Sequence, residues 1–369
     1  MTRSTLPPYP AIRIDSDKIT ANAKKIIRLC LRRNISAYPV LKSICGFKPA
    51  VSAVLEAGPE GVFDSDVKQL ADMASMAGAF KIKRGLIKLM SESELCGSLD
   101  YLSEVDYFFV SDISHLRALA KFNPGSRAVL MIDSGDLREG VPQQDLNKFL
   151  SAALKIKKVN IYGAATNHAC FSGIVPTAAI MDSFIESLEA AEKKHRIEFK
   201  MISGGNSSLL TLIEENKTNG RVNNVRVGEA IFLGSDVLTR KPIGFLEQNA
   251  FTVAAEIVEC REKESILGGV RTQNAFNEVI DFSKRNIRPG AKTKRAILNL
   301  GKKHFYVNGI KPLEAGVYVL GASSDYLIAD ISQCGRRLKC GDILEFALDY
   351  AALMSAMRGA GKCISYSLL

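Results

Sequence analysis

From residue 35 to about residue 233 the chain alternates short β-like runs with helical stretches, and few folds accommodate that pattern. The runs are Ile35–Leu41, Gly61–Phe63, Gly85–Lys88, Tyr107–Val110, Ala128–Asp133, Ile161–Thr166, Phe199–Ser203 and Val225–Val227. Between them lie helical patterns such as Asp66–Met76, Asp112–Lys121, Gln143–Leu154 and Pro176–Lys194. In the last of these, Ile180, Phe184, Leu188 and Ala191 recur three or four residues apart, the stripe of a helix that lies on a core. Strands separated by helices are the signature of parallel βαβ units. Eight of them within roughly 200 residues predict a compact (β/α)8 barrel of the TIM type, an α/β fold. Ala11–Ile14 reads as a strand ahead of the barrel, followed by a helix over about Asp17–Arg33.

After Gly234 the pattern changes. Lys241-Pro242 breaks the chain, and short strands follow at Phe251–Val258, Arg295–Leu300, Val317–Leu320, Tyr326–Asp330 and Asp342–Ala347. Helical periodicity is weak there and Gly and Pro punctuate regularly, which predicts an all-β domain. Glu262–Thr293 is polar and poorly patterned and reads as a long loop. The expected division is a barrel over 11–240, with 11–14 joining the β domain, and the β domain over 245–369. A length of 369 residues suits two such domains.

Composition narrows the function classes. The net charge of +10 comes from basic groups such as Lys24-Lys25, Arg32-Arg33, Lys157-Lys158 and Lys193-Lys194, each interleaved with acidic residues on predicted helices. These read as solvated faces, and no nucleic-acid motif accompanies them. No apolar run approaches the roughly 20 residues that span a bilayer, and Met1–Pro10 lacks the apolar stretch of a secretory leader. The eight cysteines are scattered without a C-x-x-C pair, which favours reduced thiols in a cytoplasm over disulfides or a zinc site.

Two turns point to chemistry. Ser203-Gly-Gly-Asn206-Ser207-Ser208 follows the seventh run, and Arg226-Val-Gly228-Glu229 ends the eighth; each leads into a helix-like start. Small residues let backbone N–H groups crowd together, and a helix start adds partial positive charge. Barrels often bind phosphate in the loops after strands seven and eight. Either turn alone reads equally as an ordinary βα connection; together they favour a phosphorylated cofactor.

The chain resembles the alanine racemase family of fold-type III pyridoxal-phosphate enzymes, and within it the ornithine racemase branch. The match lies in Ile12–Asp15, Val40-Leu-Lys42-Ser-Ile-Cys45, Asp133-Ser-Gly-Asp-Leu-Arg-Glu-Gly140, Ser203–Ser208 and Arg226–Glu229. Further on it continues in Lys294–Leu298, Leu320-Gly-Ala-Ser-Ser-Asp325 and Asp349-Tyr350-Ala-Ala-Leu353. The resemblance implies that Lys42 forms a Schiff base with pyridoxal 5'-phosphate and acts as a base on the substrate α-proton. It implies that Arg226 faces the pyridine nitrogen, and that Ser203, Asn206, Ser207, Gly228 and Tyr350 hold the cofactor, chiefly its phosphate. Arg138 lies near the phenolate and substrate carboxylate, Asn167 against the ring. Ser324 and Asp325 would reach the neighbouring subunit's site in a homodimer. Tyr350 reads equally as a core tyrosine with a satisfied hydroxyl.

There are departures. Alanine racemase has a second base, a tyrosine, where this chain has Leu300-Gly-Lys-Lys-His304; Tyr326 and Asp66 stand where the branch tends to have His and Arg. His304 is therefore the candidate second base, with Cys45 and Cys170 as alternatives and a core-edge histidine as the bland one. Asp136, Glu139 and Asp325 are candidates for a substrate ammonium, though each could be a capping or surface carboxylate. The expected function is racemisation of a basic amino acid such as ornithine or lysine. The alternatives are a lyase of the same fold and a non-catalytic cofactor-binding homologue. No metal is expected: the final 40 residues contain no His, and Cys340 and Cys363 have no ligand pattern around them.

Overall fold

The computed structural model describes residues 8–77, 82–264, 269–270, 272–279 and 292–369. They fall into two compact units: Ser16–Gln248, and the described residues up to Asp15 together with Asn249–Leu369. The first strand, β1 (Ala11–Ile14), belongs to the second of these. The larger unit opens with α1 (Ser16–Leu31), which buries Ile19, Ala23, Ile26 and Cys30 along one side.

The eight expected runs are all strands: β2 (Ser36–Pro39), β3 (Gly61–Asp64), β4 (Lys83–Leu86), β5 (Tyr107–Val110), β6 (Arg127–Asp133), then, after a two-residue β7 (Val141–Pro142) beside β6, β8 (Asn160–Ala165), β9 (Met201–Ser203) and β10 (Asn224–Val227). Their helices are α2 (Lys48–Leu55), α3 (Val67–Ala77), α4 (Glu92–Cys96), α5 (Leu99–Leu102), α6 (Ile113–Phe122), α7 (Leu146–Ala153), α8 (Ala178–His195), α9 (Leu210–Glu214) and α10 (Glu229–Leu233). The sheet order is β2-β10-β9-β8-β6-β5-β4-β3. A parallel bridge between Val40 and Phe63, with the Leu41 N–H donating to the Phe63 carbonyl at 2.8 Å, joins its two ends into a closed barrel. Tyr38, Val40, Phe63, Tyr107, Phe109, Val129, Met131, Ala165 and Met201 pack in one apolar cluster contributed by six of the strands and the residue after β2. Such a barrel is a filled core, so its chemistry is confined to the strand ends.

The second unit is one sheet of β11 (Phe251–Glu264), β12 (Lys292–Leu298), β13 (Ile310–Pro312), β14 (Tyr318–Ala322), β15 (Leu327–Asp330), β16 (Ile343–Leu348) and β17 (Ser365–Leu368), in the order β13-β16-β11-β12-β15-β14. Within it β1 lies antiparallel beside β11 and parallel beside β17. Two features differ from expectation. β11 runs to Glu264 rather than Val258, and Glu264 pairs with Lys292, so strand replaces both ends of the expected loop Glu262–Thr293; 265–268, 271 and 280–291 of that stretch lie outside the described residues. Past Cys260 the ladder pairs charged and polar residues, such as Glu262 with Lys294, so no apolar alternation marks it in the sequence. The second is a helix, α11 (Tyr350–Gly359), whose start is capped by the Asp349 carboxylate accepting from the Ala352 N–H at 2.8 Å. Among the described residues no helix is long and apolar enough to cross a membrane.

Candidate active site

Lys42 is placed by the way β2 ends. Val40 donates to the Val227 carbonyl at 2.9 Å and Leu41 to that of Phe63, after which the chain turns through a single 3-10 turn, Lys42–Ile44. Cys45 closes the turn in the left-handed region (φ 49°). Lys42 is half-buried at this C-terminal strand end, where barrel enzymes gather their reactive groups. Gly228 follows the neighbouring β10, and a Cβ there would lie 2.9 Å from the Val40 carbonyl oxygen. Only glycine allows the Arg226–Glu229 turn to press against the strand that delivers Lys42.

Arg226 is 5 % exposed. It donates to Ser203 Oγ at 2.6 Å, to the Thr166 carbonyl at 2.7 Å and to Asn167 Oδ1 at 3.3 Å, and its guanidinium lies over the Phe109 ring, 5.4 Å from the centroid. These partners are neutral. Burial, with Arg138 adding to it, pushes Arg226 down to about 10, which leaves it protonated at neutral pH. Ser203 donates onward to Asn224 Oδ1 at 2.6 Å, so its hydroxyl supports Arg226 from below.

Asn167 ties several loops together. Its Nδ2 donates to Asp136 at 2.9 Å, while its Oδ1 receives both Arg226 and Asn206 Nδ2 (3.1 Å). Asn206 also donates to the His168 carbonyl at 2.8 Å and accepts the Ser208 N–H at 2.7 Å, which shapes the turn after β9. Ser207 reaches the start of α10 through a long 3.5 Å contact from the Ala230 N–H. The loop after β6 returns on itself at Gly140, where a Cβ would stand 2.5 Å from the Asp133 nitrogen and φ is +148°.

Asp136 is buried, and its oxygens take the N–H groups of Cys170 (3.0 Å) and Phe171 (2.9 Å) as well as Asn167. Burial alone would raise its pKa; the Phe171, Asn167 and Cys170 donors and the Arg138 charge outweigh it and hold the carboxyl below its usual range. Arg138, on the exposed rim, donates to Cys170 Sγ at 2.9 Å and to Glu139 at 2.7 Å. Asp136 and Glu139 are thus already engaged inside this loop cluster.

Two barrel residues escaped sequence reasoning. His168 is fully buried, with Nε2 2.9 Å from Ser134 Oγ and Nδ1 without a partner; burial pushes it down to about 4, so the ring is neutral. Asp64, at the end of β3, is 1 % exposed; burial pushes its carboxyl up to about 7. Their position at strand ends of a predicted barrel was the available signal.

The remaining candidates lie in the second unit. The Gly301 N–H donates to His304 Nδ1 at 3.0 Å, and burial lowers the pKa of that half-buried ring. A Cβ at Gly301 would lie 2.3 Å from the Ser324 carbonyl oxygen, so the 301–304 turn sits directly on Ser324-Asp325. Lys303 pairs with Asp325, and Ser324 Oγ donates to Asp325 at 2.9 Å. Lys302 pairs with Glu278 and stands 4.1 Å from the Phe276 ring centroid. Tyr350 is the first residue of α11 and is half-buried. Among the described residues no group of three His, Cys, Asp or Glu is placed to hold a metal ion.

Comparison with known proteins identifies the family. The family model for the alanine racemase N-terminal domain matches residues 14–236. The lysine racemase of Thermotoga maritima is 33% identical over 357 residues, 95% of this chain and 96% of that protein. The ornithine racemase of Acetoanaerobium sticklandii is 29% identical over 351 residues, 94% of this chain and 96% of that protein. Among solved structures, alanine racemase from Streptomyces coelicolor superposes with a TM-score of 0.70 at 17% identity, covering 97% of each chain, and so shares the fold. The barrel with its all-β partner unit, the family match over the barrel and a relative one-third identical along nearly its whole length place this chain in the alanine racemase family.

Proposed function

We propose that the protein is a pyridoxal-phosphate-dependent racemase of a basic amino acid such as lysine or ornithine. The named activities of the two relatives support the substrate class. The observation that carries the reading is Arg226, a buried cation whose named hydrogen-bond partners are all neutral acceptors. A guanidinium donates and never accepts, so a ring nitrogen set against it stays unprotonated. That weakens the ring as an electron sink and favours returning the proton over transamination.

The residues present suit such a cofactor. Ser43 Oγ, His168 Nδ1 and Ser208 Oγ are buried without partners, and all three stand beyond the C-terminal ends of β2, β8 and β9. Buried polar atoms left unpaired are costly and mark a place made for a polar guest. Lys42 would hold pyridoxal phosphate covalently through Nζ; Ser207, Asn206 and the backbone around Gly228 would hold its phosphate. When bound, the cofactor supplies the electron sink that lets an amino-acid Cα–H bond ionise.

Lys42 Nζ then takes or returns the α-proton on one face. Asn167, clamped by Asp136, Asn206 and Arg226, orients the ring, and Arg138 offers a planar fork to the substrate carboxylate. His304, with its pKa lowered by burial, is a base that can work near neutral pH, with Cys45 and Cys170 as alternatives. In a homodimer, Ser324 and Asp325 of one protomer would complete the other's site. The test is incubation of purified protein with single enantiomers of lysine and ornithine, followed by polarimetry. Racemisation of either supports the reading; a keto-acid or aldehyde product, or no change at all, defeats it.

A further inference from the structure

Lys42 leaves β2 beside the end of β3, joined by the Leu41 N–H to Phe63 carbonyl bond at 2.8 Å. Asp64 is the next residue after Phe63, and it is almost entirely buried. Its two oxygens differ. Oδ1 accepts the N–H groups of Ser65 (2.6 Å) and Asp66 (3.1 Å), an Asx turn that starts the chain toward α3. Oδ2 is buried and has no partner. A structural capping aspartate needs only the first oxygen; the second, left dry and unpaired, costs stability unless it serves something else.

We propose that Asp64 is a positioning residue for Lys42, its Oδ2 receiving the Lys42 ammonium each time that lysine bears a proton. The proposal rests on the reading of Lys42 as the residue that links the cofactor and moves the α-proton. The proton itself stays on Nζ throughout, between leaving the substrate Cα and returning to it or to solvent. Asp64 contributes charge and direction only.

The electrostatics agree. Burial, then the neighbouring Asp66, push the Asp64 carboxyl up to about 7, against its two backbone donors and the Lys42 charge, which pull it down. Asp66 and Lys42 are the charged groups that act on it; beyond the end of the adjacent β4, Lys88 is already paired with Glu94 of α4. Below about pH 7 Asp64 becomes neutral and its support for the ammonium disappears.

Asp64→Asn keeps the turn-forming oxygen and removes the charge, and Asp64→Ser does the same with a smaller side chain. The full-length chain, dialysed against hydroxylamine to free the Lys42 amine, is acetylated across a pH series and the modified peptide is quantified by mass spectrometry. In both variants Lys42 should be acetylated several-fold faster at a fixed pH, because no carboxylate holds its ammonium. With pyridoxal phosphate restored, α-proton exchange in deuterated water should slow roughly 10- to 100-fold for the enantiomer that Lys42 deprotonates, with KM little changed. Variants that melt like the wild type and keep its Lys42 acetylation profile would show that Asp64 serves the turn alone. Failure of the wild-type chain to link pyridoxal phosphate at Lys42 would sink the functional reading instead, since the acetylation profile needs no cofactor.

Discussion

The rim of the barrel and the 301–304 turn of the second unit were both expected to hold reactive groups, yet they are built on opposite electrostatic terms. On the rim, Arg226, Asp64, Asn167 and His168 are buried; Arg226 meets neutral acceptors, while Asp64 and His168 each keep one polar atom without a partner. In the second unit Lys303 and Asp325 pair in the open, and Lys302 is held by Glu278. Buried and weakly compensated groups have shifted pKa values and respond to a ligand; exposed pairs are screened by water and contribute little. The contrast supports the proposal that the chemistry lies on the barrel rim, with His304 as the candidate base of the second unit.

The change with the greatest expected consequence is Lys42→Ala. It should remove the borohydride-trapped cofactor adduct and lower racemisation roughly 10³-fold or more. An adduct that persists at another lysine would break the comparison at its centre. Arg226→Leu comes next: it takes a donor from Ser203 Oγ, Asn167 Oδ1 and the Thr166 carbonyl in a dry interior, and should cost about 2–4 kcal/mol in urea unfolding. Arg226→Glu should instead raise side transamination relative to racemisation; an unchanged ratio would remove Arg226 from its role.

A third effect concerns acid. His168 is depressed from 6.5 to about 4 in the folded protein, so the unfolded chain binds the extra proton more readily. Its contribution to stability is present above pH 6.5 and is lost as pH falls through about 4, amounting to about 3 kcal/mol across that window. His168→Gln should flatten this slope in pH-dependent melting; an identical slope would mean that the ring is reached by water.

His304→Ala sharpens the comparison from the other side. Slower α-proton exchange for one enantiomer alone would give the second unit a catalytic group, whereas two wild-type rates would leave it structural. Smallest of all, Lys303→Ala should leave the melting temperature unmoved, because its ion pair with Asp325 is exposed to solvent. A clear loss there would show that this turn is less open than its exposure implies.

Much of this was legible in the residues alone. Apolar runs of the right length separated by helical stripes specify eight strands and their parallel pairing, since both periodicities are local. Small residues at 203–208 and 226–229 likewise mark tight turns before helix starts, because the steric need is written in glycine. α11 was missed although Asp349 is an ordinary helix cap, its short apolar stripe being lost among strands. The outer half of β11 was missed because its ladder pairs charged residues in solvent.

What a residue is next to across the barrel could not be read in this way. Lys42 stood out in the sequence, but Asp64, 22 positions later, became its neighbour only when β2 and β3 closed the barrel. Asp136 and Glu139 read as candidates for a substrate ammonium or as capping carboxylates; in the fold the loop after β8 supplies donors to Asp136, and Arg138 pairs with Glu139. Periodicity and turn chemistry are properties of a few consecutive residues, so the sequence determines them by itself. Burial, and with it the charge state of every group on the rim, depends on which distant segments exclude water, and that is decided only in the tertiary structure.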